Sequence, residues 1–141
     1  MQIQVKDFMS APVIVALMDD SILEIRTLMK EKGIHAVPIV SRTNDTIKVE
    51  ETIRGIITST DINEEVSDDA TIEDVMTSSI VHVVHVDSSV KCAAKSMLKH
   101  NVHHIVAMDD GEIKGMVSSL DFVKLVAEYS LELDQLPSNK I

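Results

Sequence analysis

The sequence predicts an α/β protein made of two β-α-β-β-α units that pair about a pseudo-two-fold axis. Three observations carry this prediction. Val5-Lys6-Asp7-Phe8-Met9-Ser10 is echoed by Ile72-Glu73-Asp74-Val75-Met76-Thr77, 67 positions further along (Met9 to Met76), which marks an internal duplication. Within each copy, β-branched runs alternate with stretches of helical period. Each copy is only about 60 residues long, a size that covers too little of its own apolar surface to stand comfortably alone, so the copies are expected to bury their faces against each other.

The elements follow in order. Residues 13–17 and 81–86 are β-branched runs that predict the first strand of each unit. Asp19-Asp20-Ser21 and Asp87-Ser88-Ser89 supply capping side chains for helices over 22–32 and 90–101. These end at Gly33 and Asn101, residue types that tolerate the left-handed conformation of a helix stop. Residues 35–40 and 103–108 predict the second strands, and 53–57 and 113–117 the third. A polar loop over 41–52, with Asn44-Asp45 as turn formers, joins them in the first copy; the second turns within Asp109-Asp110-Gly111-Glu112. A further helix is predicted after Thr58, to about Glu65, and after Ser118, to about Tyr129. Residues 63–70 are acidic and lack apolar periodicity except at Val66. The chain therefore divides into a first repeat (1–62), an acidic linker (63–70), a second repeat (71–129) and a tail (130–141) expected to pack weakly or fray.

Composition narrows the function. With 13 Lys and Arg against 23 Asp and Glu, the formal charge is −10, which repels a phosphate backbone and makes nucleic acid a poor partner. The apolar stretch near the start, 12–18, is far short of the ~20 residues that cross a bilayer, so no membrane span is expected. The N-terminus does not read as a secretory signal, and a cytoplasmic protein is expected. Aromatic residues are only 2% of the chain, so Val, Ile, Leu, Met and Ala must build the core. The eight Met residues mostly fit core spacing. The single Cys92 cannot form an intrachain disulfide, and its place in a helical apolar pattern predicts core packing.

The strongest chemical signal is again repeated. Gly55-Ile56-Ile57-Thr58-Ser59-Thr60-Asp61 matches Gly115-Met116-Val117-Ser118-Ser119-Leu120-Asp121, so the same hydroxyl and carboxylate recur at the same strand-to-helix junction. A hydroxyl at a helix start, beside unpaired backbone N–H groups, suits a phosphate or another anion. An Asp three residues later lies one turn on, where its oxygens can accept from vicinal ribose hydroxyls. Gly55 and Gly115 remove a side chain where a ligand or a neighbouring strand would collide. The competing reading makes Thr58 and Ser118 ordinary helix caps, with Asp61 and Asp121 adding charge near the helix start; duplication favours the ligand. Arg54 and Lys114, just before the glycines, are candidates for neutralising phosphate. No nucleophile with a neighbouring base emerges, so an enzyme is not expected. His82 with His85, or His100 with His103 and His104, invite a metal reading, but residues 82 and 85 of a strand face opposite ways and no tetrahedral set is completed; no metal site is predicted.

The opening Val-Lys-Asp-Phe-Met-Ser, the strand Gly33-Ile34-His35-Ala36-Val37-Pro38-Ile39-Val40 and the closing Gly-Ile-Ile-Thr-Ser-Thr-Asp together resemble a cystathionine-β-synthase (CBS) domain, and the second repeat resembles it too. Such a tandem is called a Bateman module. The resemblance implies an adenosyl ligand, AMP, ADP, ATP or S-adenosylmethionine, with Thr58 and Ser118 at phosphate and Asp61 and Asp121 at ribose. It also implies that the backbone around His35, Ala36 and Val37, and around His103, His104 and Ile105, approaches the adenine. Val106 stands where Pro38 satisfies the family pattern in the first repeat, which implies a differently shaped adenine pocket there. The expected role is regulatory: a stand-alone module that changes the angle between its repeats or subunits when ligand binds, and so signals to a partner protein, with homodimerisation implied by the family. The rival readings are a dimerisation module with empty sites and, less favoured, a His-based metal sensor.

Overall fold

The computed structural model describes residues 3–11, 13–44, 49–76 and 80–128. Its elements run α1 (Val5–Phe8), β1 (Ala16–Leu17), α2 (Ile22–Lys32), β2 (Ala36–Asn44), β3 (Val49–Thr58), α3 (Ile72–Val75), β4 (Val83–His85), α4 (Val90–His100), β5 (His104–Asp109), β6 (Glu112–Ser118) and α5 (Ser119–Glu128). The strands form two three-stranded sheets, β1-β2-β3 and β4-β5-β6, each with one parallel and one antiparallel pairing. The mixed α/β architecture of paired repeats is the predicted one.

The helices form for the expected local reasons. Ser21 Oγ accepts from Glu24 N–H and Ser89 Oγ from Cys92 N–H, satisfying a free donor at each helix start. At the ends, Gly33 (φ 63°) and Asn101 (φ 51°) take the left-handed conformation that lets the last carbonyls find partners. The second hairpin turns on Asp110 (φ 49°) and Gly111 (φ 75°), the pair of positive φ values a two-residue turn requires. Both hairpins carry a bulge at the same repeat position: Ile39 faces Gly55 while Val40 faces Ile53, and Ala107 faces Gly115 while Met108 faces Ile113. Arg54 and Lys114 are therefore the extra, unpaired residues of the two bulges.

Four expectations are corrected. The first strands are shorter than 13–17 and 81–86, because only Ala16–Leu17 and Val83–His85 reach a partner strand. The polar stretch 41–52 is largely ladder: Ser41 pairs with Thr52 and Asn44 with Val49, so cross-strand pairing overrides its loop-like composition. The segment after Thr58 makes successive turns and not a helix, whereas α5 forms as predicted after Ser118. Cys92 is exposed and not packed in the core, since Ala93 and Met97 take the inward face of α4. The tail 130–141 lies outside the described residues.

The cores reveal an exchange between repeats. Residues Ile22, Ile25, Met29, Val37, Ile39 and Ile57 of the first unit are completed by Ile72, with Val75 and Met76 beside it, from the start of the second repeat. Reciprocally, Val84, Ala93, Met97, Ile105 and Val117 enclose Val5, with Phe8 and Met9, from the start of the first. The backbone repeats the swap in matched pairs. Val5 N–H donates to Ser88 O at 2.8 Å and Ile72 N–H to Asp20 O at 3.0 Å; Val90 N–H donates to Ile3 O and Ile22 N–H to Ala70 O. Lys6 pairs with Asp87 at 2.8 Å on this seam; hydrogen bonding and the opposite charge raise the pKa of the ammonium and lower that of the carboxyl.

The exchange explains Gly55 and Gly115. A Cβ on Gly115 would lie 2.6 Å from Met9 Sδ and 2.8 Å from Ser10 O, and one on Gly55 would lie 2.8 Å from Met76 Sδ. The space each glycine leaves is filled by the exchanged segment of the other repeat. A third core, formed by Ala36, Val106 and Met116 with Val13, Ile53, Ile56 and Val81 around it, joins the two units. Arg26 ties the acidic linker to α2, donating to the carbonyls of Asn63 and Val66 at 2.6 Å each and of Ile62 at 3.3 Å, and pairing with Asp68.

Candidate functional site

Pairing the units leaves two grooves, and each draws its walls from both repeats. The first has a volume of 330 Å³ and is lined by Val13 and Ile14 from the approach to β1, by Ser118, Ser119 and Asp121 at the start of α5, and by Lys124 one turn further on. The second has a volume of 420 Å³ and sets Ile80, Val81 and His82, on the approach to β4, against Thr58, Ser59 and Thr60. Both volumes fall in the range of small-molecule sites. His35, His103 and His104 line both grooves and so form the ridge between them.

The hydroxyl and carboxylate of each motif meet as their spacing predicts. Asp61 Oδ2 accepts from the Thr58 N–H at 2.8 Å and from its hydroxyl at 3.0 Å. Asp121 Oδ2 accepts from the Ser118 N–H at 2.8 Å, while the Asp121 N–H donates to Ser118 Oγ at 3.3 Å. These are capping geometries, and they leave Oδ1 of each carboxylate outside the clasp. The same pairing that closes the end of β3 or β6 thus holds an acid and a hydroxyl side by side next to a groove. Asp121 is half-buried and lines the first groove; Asp61 is exposed and lies beside the second without lining it, because the turns after Thr58 bring Ser59 and Thr60 to the wall instead.

The remaining candidates divide. Ala36 lines the first groove, but Val37 and Ile105 point into the cores of their own units, and their backbones are paired with Ile57 and Val117. Pro38 and Val106 are both fully buried and line neither groove, so the Pro-to-Val departure bears on packing between units. Gly55 and Gly115 line neither groove and face Met76 and Met9. Arg54 and Lys114 also line neither: as bulge residues they point outward, where Arg54 Nε donates to Ser41 Oγ at 3.0 Å and Lys114 pairs with Glu112 at 2.7 Å. Lys124 is the groove cation that the motif missed. It stands three residues after Asp121 on a helix already predicted, so helical spacing was the signal.

Several histidines make side-chain contacts of their own. His82 stacks on His100 with ring centroids 3.8 Å apart, and loss of hydration, then the charges of His82 and Lys99, lower the His100 pKa. His85 Nε2 lies 3.2 Å from Asp109, and its Nδ1 accepts from the Asp87 N–H. Among the described residues no group of three or more His, Cys, Asp or Glu is placed to hold a metal ion. On the ridge, burial is the main cause of a lowered His104 pKa; His103 and His35 act in the same direction and Asp121 opposes them.

Two duplicated units, cross-completed cores and a pair of grooves related by the repeat define a tandem-repeat module. The model of the CBS domain matches residues 5–68 and 72–128, and the chain belongs to the CBS domain family as a domain pair. A CBS domain pair solved in complex with 5′-methylthioadenosine and S-adenosyl-L-methionine is 32% identical, with a TM-score of 0.72 over 90% of this chain and 98% of that one. A protein from Pyrococcus horikoshii shares the fold at 22% identity, with a TM-score of 0.73 over 94% and 97% of the two chains. Among curated proteins, the chain is similar to L-aspartate semialdehyde sulfurtransferase of Methanocaldococcus jannaschii, 32% identical over 123 residues. It is 27% identical over 129 residues to homoserine O-acetyltransferase of Methanosalsum zhilinae. It covers 86% and 90% of itself in these two matches but spans only 23% and 25% of the relatives' lengths. Among the described residues no helix is long and apolar enough to cross a membrane.

Proposed function

We propose that this CBS pair is a regulatory module, not an enzyme, that binds an adenosyl compound (AMP, ADP, ATP, S-adenosylmethionine or a related molecule) in the grooves between its repeats and signals to a partner protein. The observation that carries this reading is the duplicated clasp, Thr58 with Asp61 and Ser118 with Asp121, set beside two grooves that share a histidine ridge. In the bound state the hydroxyl at the clasp, joined at Ser118 by the free N–H groups that open α5, faces the anion, and the carboxylate oxygen outside the clasp takes the ribose hydroxyls. The backbone near His35, Ala36, His103 and His104 takes the base. The relative solved with two adenosyl ligands supports this chemistry.

Because both walls of each groove come from different repeats, a ligand spanning them favours one arrangement of the units over others, and that differential affinity is the signal. The module acts as a homodimer in the cytoplasm: Leu120, Val123 and Val126 leave an apolar stripe exposed along α5, suited to a second copy, and the exposed thiol of Cys92 suits a reducing compartment.

Titration calorimetry with AMP, ATP, S-adenosylmethionine and 5′-methylthioadenosine tests the proposal. Binding is expected with at least one of them, and Asp121→Ala should abolish it in the first groove. Silence with all four would leave a dimerisation module with empty grooves.

A further inference from the structure

The two grooves, equivalent by descent from one repeat, differ in charge. Among the described residues Lys124 is the only Lys or Arg that lines either groove, and it belongs to the one beside α5. The matching residue of the first repeat, 60 positions earlier, is Glu64, an exposed residue of the turn segment that lines neither groove. Among the described residues the second groove has no Lys, Arg, Asp or Glu in its lining, and the titratable side chains there are imidazoles. The backbone differs in the same sense. A ten-residue helix opens at Ser119 beside the first groove, whereas the chain after Thr58 makes turns and offers no aligned set of free N–H groups. The apolar wall of the second groove comes from Ile56, Ile80, Val81 and Val102.

We infer that the grooves take different ligands: the one beside α5 binds a phosphate-bearing adenosyl compound, with Lys124 as its specificity-determining residue, and the other binds an adenosyl compound without phosphate. The inference rests on the adenosyl reading given above. Lys124 reaches the groove from one turn beyond Asp121, so its ammonium is placed for the phosphate while the Asp121 carboxylate is left for the ribose. A hydrogen bond between charged groups is worth enough to change affinity by about tenfold or more. A neutral thioether ligand gains nothing from that ammonium and loses nothing in a groove whose described lining carries no Lys, Arg, Asp or Glu.

Calorimetry with AMP and with 5′-methylthioadenosine, on the full chain, tests this. AMP affinity should fall about tenfold in Lys124→Ala and further in Lys124→Glu, with 5′-methylthioadenosine affinity unchanged in both. Saturating AMP should leave the binding of 5′-methylthioadenosine intact. Equal losses for both ligands, no loss for AMP, or mutual competition would overturn the assignment. If the unmodified chain binds neither ligand, this assignment falls, whereas the adenosyl reading itself falls only if ATP and S-adenosylmethionine are silent as well. Lys124 is exposed on α5, so both variants should fold, and the melting temperature checks that they do.

Discussion

Replacing Gly115 by Ala should destabilise the fold far more than the repeat-equivalent Gly55→Ala, and the difference can be worked from the exchanged segments. The new Cβ at position 115 would lie 2.6 Å from Met9 Sδ, 2.9 Å from Met9 Cγ and 2.8 Å from Ser10 O, where comfortable contact needs roughly 3.5 Å or more. Ser10 O is backbone and cannot swing away. It accepts from Met116 N–H at 3.0 Å while Ser10 N–H donates to Met116 O at 2.9 Å, so relieving the clash stretches both bonds. Overpacking costs about 1–3 kcal/mol, and each weakened hydrogen bond adds up to about 1 kcal/mol. Neither glycine has a positive φ, so Ala regains about 0.4–1 kcal/mol through the unfolded chain. A net loss of about 2–3 kcal/mol is expected for Gly115→Ala. At position 55 the close contact is Met76 Sδ alone at 2.8 Å, with Cγ and Cε at 3.6 and 3.7 Å, and a thioether can rotate aside. That substitution should cost about 1 kcal/mol or less. Urea unfolding of the two variants, with unchanged slopes, gives the comparison directly. Equal stability of the two, or a harmless Gly115→Ala, would refute the seating of the Met9-Ser10 segment against β6.

Two further outcomes follow from named contacts. Arg26→Ala should cost about 1–3 kcal/mol in urea unfolding and raise amide exchange across residues 62–70, because one side chain there holds three carbonyls and Asp68; a loss below about 0.5 kcal/mol would show that the linker docks without it. Burial lowers the His104 pKa from its ordinary 6.5, so the unfolded chain takes up the proton more readily as pH falls below that value, and the ligand-free protein should melt at lower temperature at pH 5.5 than at pH 7.5. The drop should shrink in His104→Asn, and an unchanged pH dependence would exclude this histidine as its source.

The fold was legible wherever local chemistry and tertiary packing agree. Ser21, Ser89, Gly33 and Asn101 start and stop their helices by interactions within a few residues, so α2 and α4 could be read to within a residue at each end. The stretch 41–52 could not, because its pairing partners lie across the hairpin and composition says nothing about them. The helix expected after Thr58 failed for a related reason. Ile62 is the buried residue of that stretch, and Arg26 holds the carbonyls of Ile62, Asn63 and Val66 in successive turns, a tertiary contact that local sequence does not show. Duplication announced Thr58, Asp61, Ser118 and Asp121 as a set, and each hydroxyl is bonded or clasped to its acid. Arg54 and Lys114 were misplaced because a bulge reverses which way a residue points, and no sequence period marks a bulge. The role of the glycines needed the exchange, since Met9 and Met76 lie far along the chain from the positions they fill.

That exchange also governs the order in which the molecule can be completed as it is made. Val5 and Met9 leave the ribosome about a hundred residues ahead of Ser118, where the strands that enclose them end. At about 5–20 residues per second, the leading segment waits on the order of ten seconds, its apolar side chains unsheltered, until the last sheet is synthesised. The earlier unit is in the opposite position, lacking Ile72 only briefly before it emerges. Synthesis from one end therefore makes two units of common ancestry mature at different times, and the segment of Val5 and Met9 is seated well after Ile72 is.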